Sequence, residues 1–274
     1  KLSNPQIELR AGTGIVDLKR KDNVWVLTDT HGHSYEFAYV LLATGYSVFD
    51  ARRKEELGYG IYSGVITSLD LEAMIQKQKI VNSIGDVPQR IAFLQCVGSR
   101  DEKSGNEYCS KVCCVTAVKQ AIEVRKMLPD TEVYVFYMDL RMWGQGFEEM
   151  YRDSQEVYGV NFVRGRISEA AVTYDGKVQL KAEDTLMGLP LLMNTDLLVL
   201  MVGMEASAGT KLLASSSKIK GLYGFAQSVS EHIHDNETSQ KGLFVAGTCK
   251  RPMSISDTIQ DARSAAVTML EMIK

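Results

Sequence analysis

The stretch 91-IAFLQCVGSRDEKSGNEYCSKVCCVTAVKQAIEVRKMLPDTEVYVFYMDL-140 decides the fold. Its apolar run 91–95 reads as a buried strand, and 132–140 reads as another. Between them lie a polar loop and a helical pattern over Ser110–Met127, broken at Pro129-Asp130. Strand, helix and strand at this rhythm predict a parallel sheet with crossover helices. The loop holds the chemistry: Cys96, Cys109, Cys113 and Cys114 follow a C-x12-C-x3-C-C spacing, four of five cysteines within 19 positions. Isolated cysteines commonly serve as small buried hydrophobes, but clustering of this kind points to metal ligation. Four thiolates suit an iron–sulfur cube or a tetrahedral zinc ion.

Downstream, a helix near Gly146–Tyr158 and a strand at Val160–Arg164 continue the alternation. Residues 167–182 then read as a β-meander, and 196-DLLVLMVGM-204 as a buried strand ending in glycine. A similar strand, 242-GLFVAGT-248, precedes a terminal helix over Ile255–Ile273. Ile255, Ile259, Ala262, Ala266, Met269, Leu270 and Ile273 recur there at the spacing of an amphipathic helix. Upstream, 7–45 reads as a meander leading into a buried strand at Tyr39–Leu42, then Ala43-Thr44-Gly45. The stretch 46–88 is mixed, with a short helix at Ser68–Gln78 that Ser68 would cap and Glu72 in its first turn. A meander followed by a buried strand thus occurs twice, which predicts an α/β chain of two related dinucleotide-type domains.

The 274 residues can bury one large core or two modest ones. A net charge of −3 without a long Lys/Arg run gives no footprint for nucleic acid. The longest apolar-rich run, 186–204, is broken by Gly188, Pro190, Asn194 and Asp196, so no transmembrane span is expected. An odd cysteine count argues against a secreted disulfide framework and favours a reducing cytoplasm. The sequence starts inside a strand pattern without an initiator Met, and is expected to be a piece of something longer. No G-x-G-x-x-G follows any predicted strand; 58-GYGIYSG-64 has the wrong spacing and reads as loop. Where a glycine turn would follow strand 91–95, Cys96-Val97-Gly98 stands instead. This domain is expected to have exchanged pyridine-nucleotide binding for a metal centre.

The strings IAFLQCVGSRD, YCSKVCCVTAVKQA, VYVFYMDLRMWGQGFEEMY and GVNFVRGR resemble those of the family of heterodisulfide reductase A subunits, as do 42-LATGY-46, 58-GYG-60, 65-VITSLDLE-72 and 243-LFVAGT-248 with Pro252 and Ile255. The likeness spans nearly the whole chain. It implies a thioredoxin-reductase-like flavoprotein core with FAD and [4Fe–4S] clusters, an oxidoreductase passing electrons to other subunits of a complex, with room for a homodimer. Carried over, Cys96, Cys109, Cys113 and Cys114 would hold one [4Fe–4S] cluster. Residues 1–48 with 207–274 would form a partial FAD-binding-type domain, and 49–206 an NAD-binding-type domain carrying the cysteines. The family's fingerprint for the ADP half of FAD is missing here, as are its ferredoxin-like cysteine runs, so this fragment alone is expected to bind FAD poorly.

Gly247 and Thr248 end a buried strand before a helix, where backbone N–H groups could meet flavin ribityl or phosphate oxygens; Ala43, Thr44 and Gly45 end another. Ser254 or Ser256 could cap the terminal helix, directing the N–H end near Ile255 toward the flavin ring. Lys119, five residues past Cys114, is the candidate to hydrogen-bond flavin N5, with Glu72 a weaker candidate to pair with it. Arg100 and Lys111 flank the cysteines and read as surface salt-bridge formers able to tune a cluster through charge. His31 with His33 in a hairpin turn, and His232 with His234, lack the further ligands a metal site needs. Tyr134, Phe136, Tyr137, Met138 and Trp143 read as core, and Cys249 as structural. The alternative function is a structural module in which four cysteines hold zinc and the surface binds partner subunits. The adjacent Cys113–Cys114 pair weighs against it, since zinc sites prefer separated knuckles. A thiol–disulfide oxidoreductase would need a C-x-x-C, which the chain does not contain.

Overall fold

The structure, a computed structural model, describes Asn4 and residues 6–273. Its strands are β1 (Ile15–Lys21), β2 (Val24–Asp29), β3 (Ser34–Phe37), β4 (Val40–Leu42), β5 (Tyr46–Val48), β6 (Val65–Thr67), β7 (Arg90–Val97), β8 (Glu132–Tyr137), β9 (Asn161–Arg164), β10 (Ile167–Val172), β11 (Val178–Asp184), β12 (Leu189–Thr195), β13 (Leu197–Val202), β14 (Met204–Ala206) and β15 (Leu243–Val245). The α-helices among the described residues are α1 (Ser68–Gln76), α2 (Cys113–Met127), α3 (Phe147–Glu156), α4 (Ala208–Ser216) and α5 (Ile255–Ile273). The chain forms two compact units, Lys1–Ser47 with Glu205–Lys274, and Val48–Met204. The meander-then-strand pattern occurs in both, β1–β3 before β4 and β10–β12 before β13. No helix among the described residues is long and apolar enough to cross a membrane.

The unit 48–204 is built on a five-stranded parallel sheet of order β6-β13-β7-β8-β9. Strand alternation sorts its side chains onto two faces. Ile91, Phe93, Val133, Val135, Leu197 and Val199 pack with Leu71 and Ile75 of α1 and Ala117, Ala121 and Val124 of α2. Ala92, Leu94, Phe136, Leu198 and Leu200 pack with Val178 and Leu180 of the antiparallel meander β10-β11-β12. Both faces are covered, which is why these strands read as unbroken apolar runs. Each fully buried side chain of this size stabilises by about 1.5–3 kcal/mol.

Several local expectations are corrected. Thr67, not Ser68, caps α1: its hydroxyl accepts from Asp70 N–H at 3.3 Å while Asp70 Oδ2 accepts from Thr67 N–H at 2.8 Å, so Asp70 rather than Glu72 is the first-turn acid. The helix expected from Ser110 starts at Cys113, because Lys111 sits at φ +63° in the loop before it. Pro190, read as breaking an apolar run, lies within β12. β12 is the outer strand of its sheet, where a missing N–H costs no ladder bond on the open side. The strand β6 and helix α4 had no clear sequence signal. Trp143, expected in the core, is 84% exposed in the loop before α3.

The other unit pairs β4 with β15 in parallel and carries the meander β1-β2-β3. Leu18, Trp25, Val40, Leu42, Leu213, Leu243, Val245 and Cys249 form its core. The helix α5 runs over the range the spacing predicts, yet among its described residues only Ala265 is buried. Ile255, Ile259, Leu270 and Ile273 of its apolar stripe are exposed, since the two-strand parallel pair is too narrow to cover a 19-residue helix.

Candidate functional site

The cysteine loop springs from an irregularity in β7. Leu94 pairs with Leu200 and Val97 with Val202, so Gln95 and Cys96 together oppose Met201 alone. Such a bulge re-aims side chains at the end of a strand, and Cys96 accordingly sits at φ +59°. A left-handed non-glycine residue costs on the order of 1 kcal/mol or more, and persists where its surroundings over-determine it. Gly98 follows at φ +72°, and a Cβ there would lie 2.0 Å from the Phe49 ring, so only glycine fits.

The loop is tied down along its length. Asn106 Nδ2 donates to Gly98 O at 3.0 Å, Arg100 N to Tyr108 O at 2.9 Å, and Tyr108 OH to Met204 O at 2.7 Å. Fully buried Ser110 accepts the Met204 N–H on its hydroxyl at 2.8 Å. Lys54 Nζ meets Asp101 Oδ2 at 2.9 Å in the buried base of the loop. Cys109 Sγ accepts from Lys111 N at 3.3 Å, and α2 then begins at Cys113 with no side chain capping it. Cys113 and Cys114 therefore occupy a first turn where free N–H groups favour negative charge. Cys114 Sγ also accepts from Arg141 N at 3.4 Å.

The four thiols share one electrostatic neighbourhood. Burial pushes the Cys113 thiol far up, and Cys96, Cys114 and Cys109 each push it further. Burial, then Cys114, raise Cys96 to about 11, with Arg100 opposing and Cys109 adding. Burial also raises Cys114, offset in part by the Arg141 N–H. Cys96, Cys113 and Cys114 thus disfavour the thiolate in the metal-free chain, and a bound cationic group would offset that cost. Among the described residues no three His, Cys, Asp or Glu side chains are close enough to hold a single ion. Arg100, expected at the surface, has a side chain only 19% exposed and donates to Asp139 Oδ2 at 2.6 Å, while Lys111 is exposed.

On α1 and α2, Glu72 Oε1 meets Lys119 Nζ at 3.1 Å, and Gln120 Nε2 donates to Glu72 Oε2 and Ser68 O, both at 2.9 Å. The expected Lys119–Glu72 pair is thus present, and it is largely exposed. The Gln120 hydrogen bond, then Lys119, hold the Glu72 carboxyl below its ordinary range. Gln120 carried no sequence signal of its role, nor did the burial of Ser99; for Gln95, a glutamine ending the apolar run IAFLQ was the available signal.

In the other unit, the parallel pairing of β4 and β15 sets Ala43-Thr44-Gly45 beside Ala246-Gly247-Thr248 at the carboxyl ends of neighbouring strands. Gly45 lies against Thr248, whose Oγ1 would be 3.9 Å from a Cβ there. Thr210 fixes the first turn through Thr44 Oγ1 at 2.6 Å and Gly45 O at 3.0 Å. The Gly247 N–H, expected to face a flavin oxygen, instead donates to Asp261 Oδ2 at 2.6 Å. Asp261 is held in turn by buried Lys250 at 2.6 Å and by Asn236 at 3.0 Å. Ser254 caps α5, exchanging bonds with Asp257, while Ile255 is 81% exposed. Cys249 is fully buried and donates to Ala246 O and Leu42 O; burial raises it to about 11, as suits a structural thiol.

No family model matches the chain. It is 42% identical over 235 residues to the A subunit of the H(2)/formate:CoB-CoM heterodisulfide,ferredoxin reductase of Methanococcus maripaludis, a match covering 83% of this chain and 36% of that protein. It is 38% identical over 247 residues to the A subunit of the H(2):CoB-CoM heterodisulfide,ferredoxin reductase of Methanothermobacter thermautotrophicus, covering 87% and 38%. The iron-sulfur A subunit of the CoB--CoM heterodisulfide reductase of Methanocaldococcus jannaschii is 40% identical over 240 residues, covering 83% and 36%. The chain spans 36–38% of the length of these relatives. Among solved structures, T. acidophilum thioredoxin reductase aligns with a TM-score of 0.61 at 16% identity, over 96% of this chain and 75% of that one. Lactococcus lactis thioredoxin reductase aligns with a TM-score of 0.61 at 14% identity, over 94% and 75%. At these identities the structural likeness concerns the fold alone, a thioredoxin-reductase-like α/β arrangement with parallel sheets and antiparallel meanders.

Proposed function

The chain belongs to the family of heterodisulfide reductase A subunits, and from that premise we propose that it is an electron-transfer segment of an oxidoreductase, with one [4Fe–4S] cluster on Cys96, Cys109, Cys113 and Cys114. The observation that carries the reading is that Cys96 from a strand bulge, Cys109 from a loop and Cys114 from a helix start all act on the buried Cys113, each opposing its ionisation. The cluster, when bound, supplies one-electron transfer. The chain's own residues hold it and set its surroundings. The bulge turns Cys96 out of its strand, and the uncapped start of α2 and the Arg141 N–H stabilise thiolate charge. Arg100, its side chain mostly buried, adds a positive charge that favours electron uptake.

Consecutive Cys113 and Cys114 on a helix project about 100° apart, which suits a cube larger than a single ion. Tetrahedral zinc would draw the sulfurs to roughly 3.8 Å from one another, given a bond of about 2.3 Å. Thiols raised by burial are poor nucleophiles, which disfavours thiol–disulfide exchange by these cysteines.

FAD is the second proposed cofactor, at the carboxyl ends of β4 and β15. Ala43, Thr44 and Gly45 would contact it together with Gly247, Thr248, Ser254 and Ile255. With the Gly247 N–H held by Asp261, its contribution is a close backbone approach rather than a hydrogen bond. Other subunits of an electron-transfer complex are the proposed partners, following the relatives named as subunits.

The test is iron, sulfide, zinc and flavin content of anaerobically purified protein, with Cys113→Ala beside it. About four irons and four sulfides per chain are expected, lost in Cys113→Ala. Stoichiometric zinc without iron would replace the cluster by a structural metal, and full iron in the variant would overturn the ligand assignment.

A further inference from the structure

Gln95 is an anomaly in the core. It is 5% exposed, and neither its Nε2 nor its Oε1 has a hydrogen-bond partner among the described residues. Leaving a buried amide unpaired is expensive, and native chains rarely do so without a reason. Gln95 continues the face of β7 that carries Ile91 and Phe93, the face on which Cys113 packs. It immediately precedes Cys96 and belongs to the same bulge. A further polar atom nearby in sequence, Ser99 Oγ, is also buried without a hydrogen-bond partner among the described residues. Gln95 and Ser99 thus flank Cys96, where the cluster is proposed, while a further such atom, Gln120 Oε1, lies on α2.

We propose that Gln95 is a positioning residue for the cluster, its Nε2–H donating to a sulfur of the bound group. The inference rests on the cluster reading above. Hydrogen bonds to cluster sulfur stabilise the reduced state, which carries more negative charge, and so raise the reduction potential. They also satisfy a donor that the chain by itself leaves unmet. A carboxamide at this position is neutral, so it does both without adding a buried charge.

The test compares the wild type with the near-isosteric Gln95→Met in the full chain. Iron content, an EPR-monitored redox titration, and melting of the metal-free protein are measured together. Gln95→Met is expected to keep its iron while its ratio of reduced to oxidised cluster at a given potential falls about tenfold, a shift near 59 mV for one electron. The metal-free variant should melt higher by about 2 °C or more, since an unpaired buried amide has been removed. Loss of iron from a variant whose metal-free fold is intact would likewise support the contact. An unchanged potential at full iron, or a lower melting temperature of the metal-free variant, would overturn the role of Gln95 and leave the cluster standing. Absence of iron from the wild type would overturn the cluster and Gln95's role with it.

Discussion

Lys54 and Asp101 show how one buried pair anchors a functional loop. Lys54 Nζ lies 2.9 Å from Asp101 Oδ2 and 2.8 Å from Glu56 Oε1. Burial alone would raise the Asp101 carboxyl, but the Lys54 hydrogen bond and charge outweigh it and hold the group below its ordinary range. Burial alone would lower Lys54, and its two acids more than offset that. Asp101's contribution is therefore complete above the unfolded carboxylate value near 4 and is lost as pH falls through the lower folded value. Lys54's is complete below about 10.4 and is lost as pH rises through its raised folded value. Asp101→Asn strands the ammonium with Glu56 alone, so a loss of about 2 kcal/mol is expected, below the ~3–5 kcal/mol of a pair left wholly unpaired. Urea unfolding at pH 7 and pH 3 checks both parts: the gap between variant and wild type should shrink at the lower pH.

At the scale of elements, β6 and α1 meet in a capping box that decides where the helix starts. The sequence 65-VITSLDLE-72 offers Thr67 and Ser68 as competing caps. The choice falls to Thr67 because an acid stands three residues after it, at Asp70, and closes the reciprocal bond. Thr67→Ala is expected to lower stability by about 1 kcal/mol, and Thr67→Ser to recover most of it, both read by urea denaturation. The same scale separates what local pattern reveals from what it hides. α5 was legible to the residue because its spacing is internal to the helix, while the exposure of its apolar stripe was not, because burial depends on neighbours far along the chain. β12 was hidden by Pro190, whose tolerance follows only from its place at a sheet edge.

For the whole molecule, two compact units with separate cores predict unfolding that is not two-state. Calorimetry of the chain should show two transitions. Loading with iron and sulfide should raise only the one belonging to 48–204, because a ligand stabilises the structure that binds it. A single transition, or a shift of both, would contradict this. By itself the sequence determined the alternation of strand and helix, the two meanders, the terminal helix and the four clustered cysteines, because hydrophobic period and residue type act over a few neighbouring positions. Only the tertiary structure decided that Cys96 sits in a bulge, that Gln95 is buried without a partner among the described residues, and that Asp261 takes the Gly247 N–H. Each of these depends on strand register or on contacts between distant residues, which no local pattern encodes.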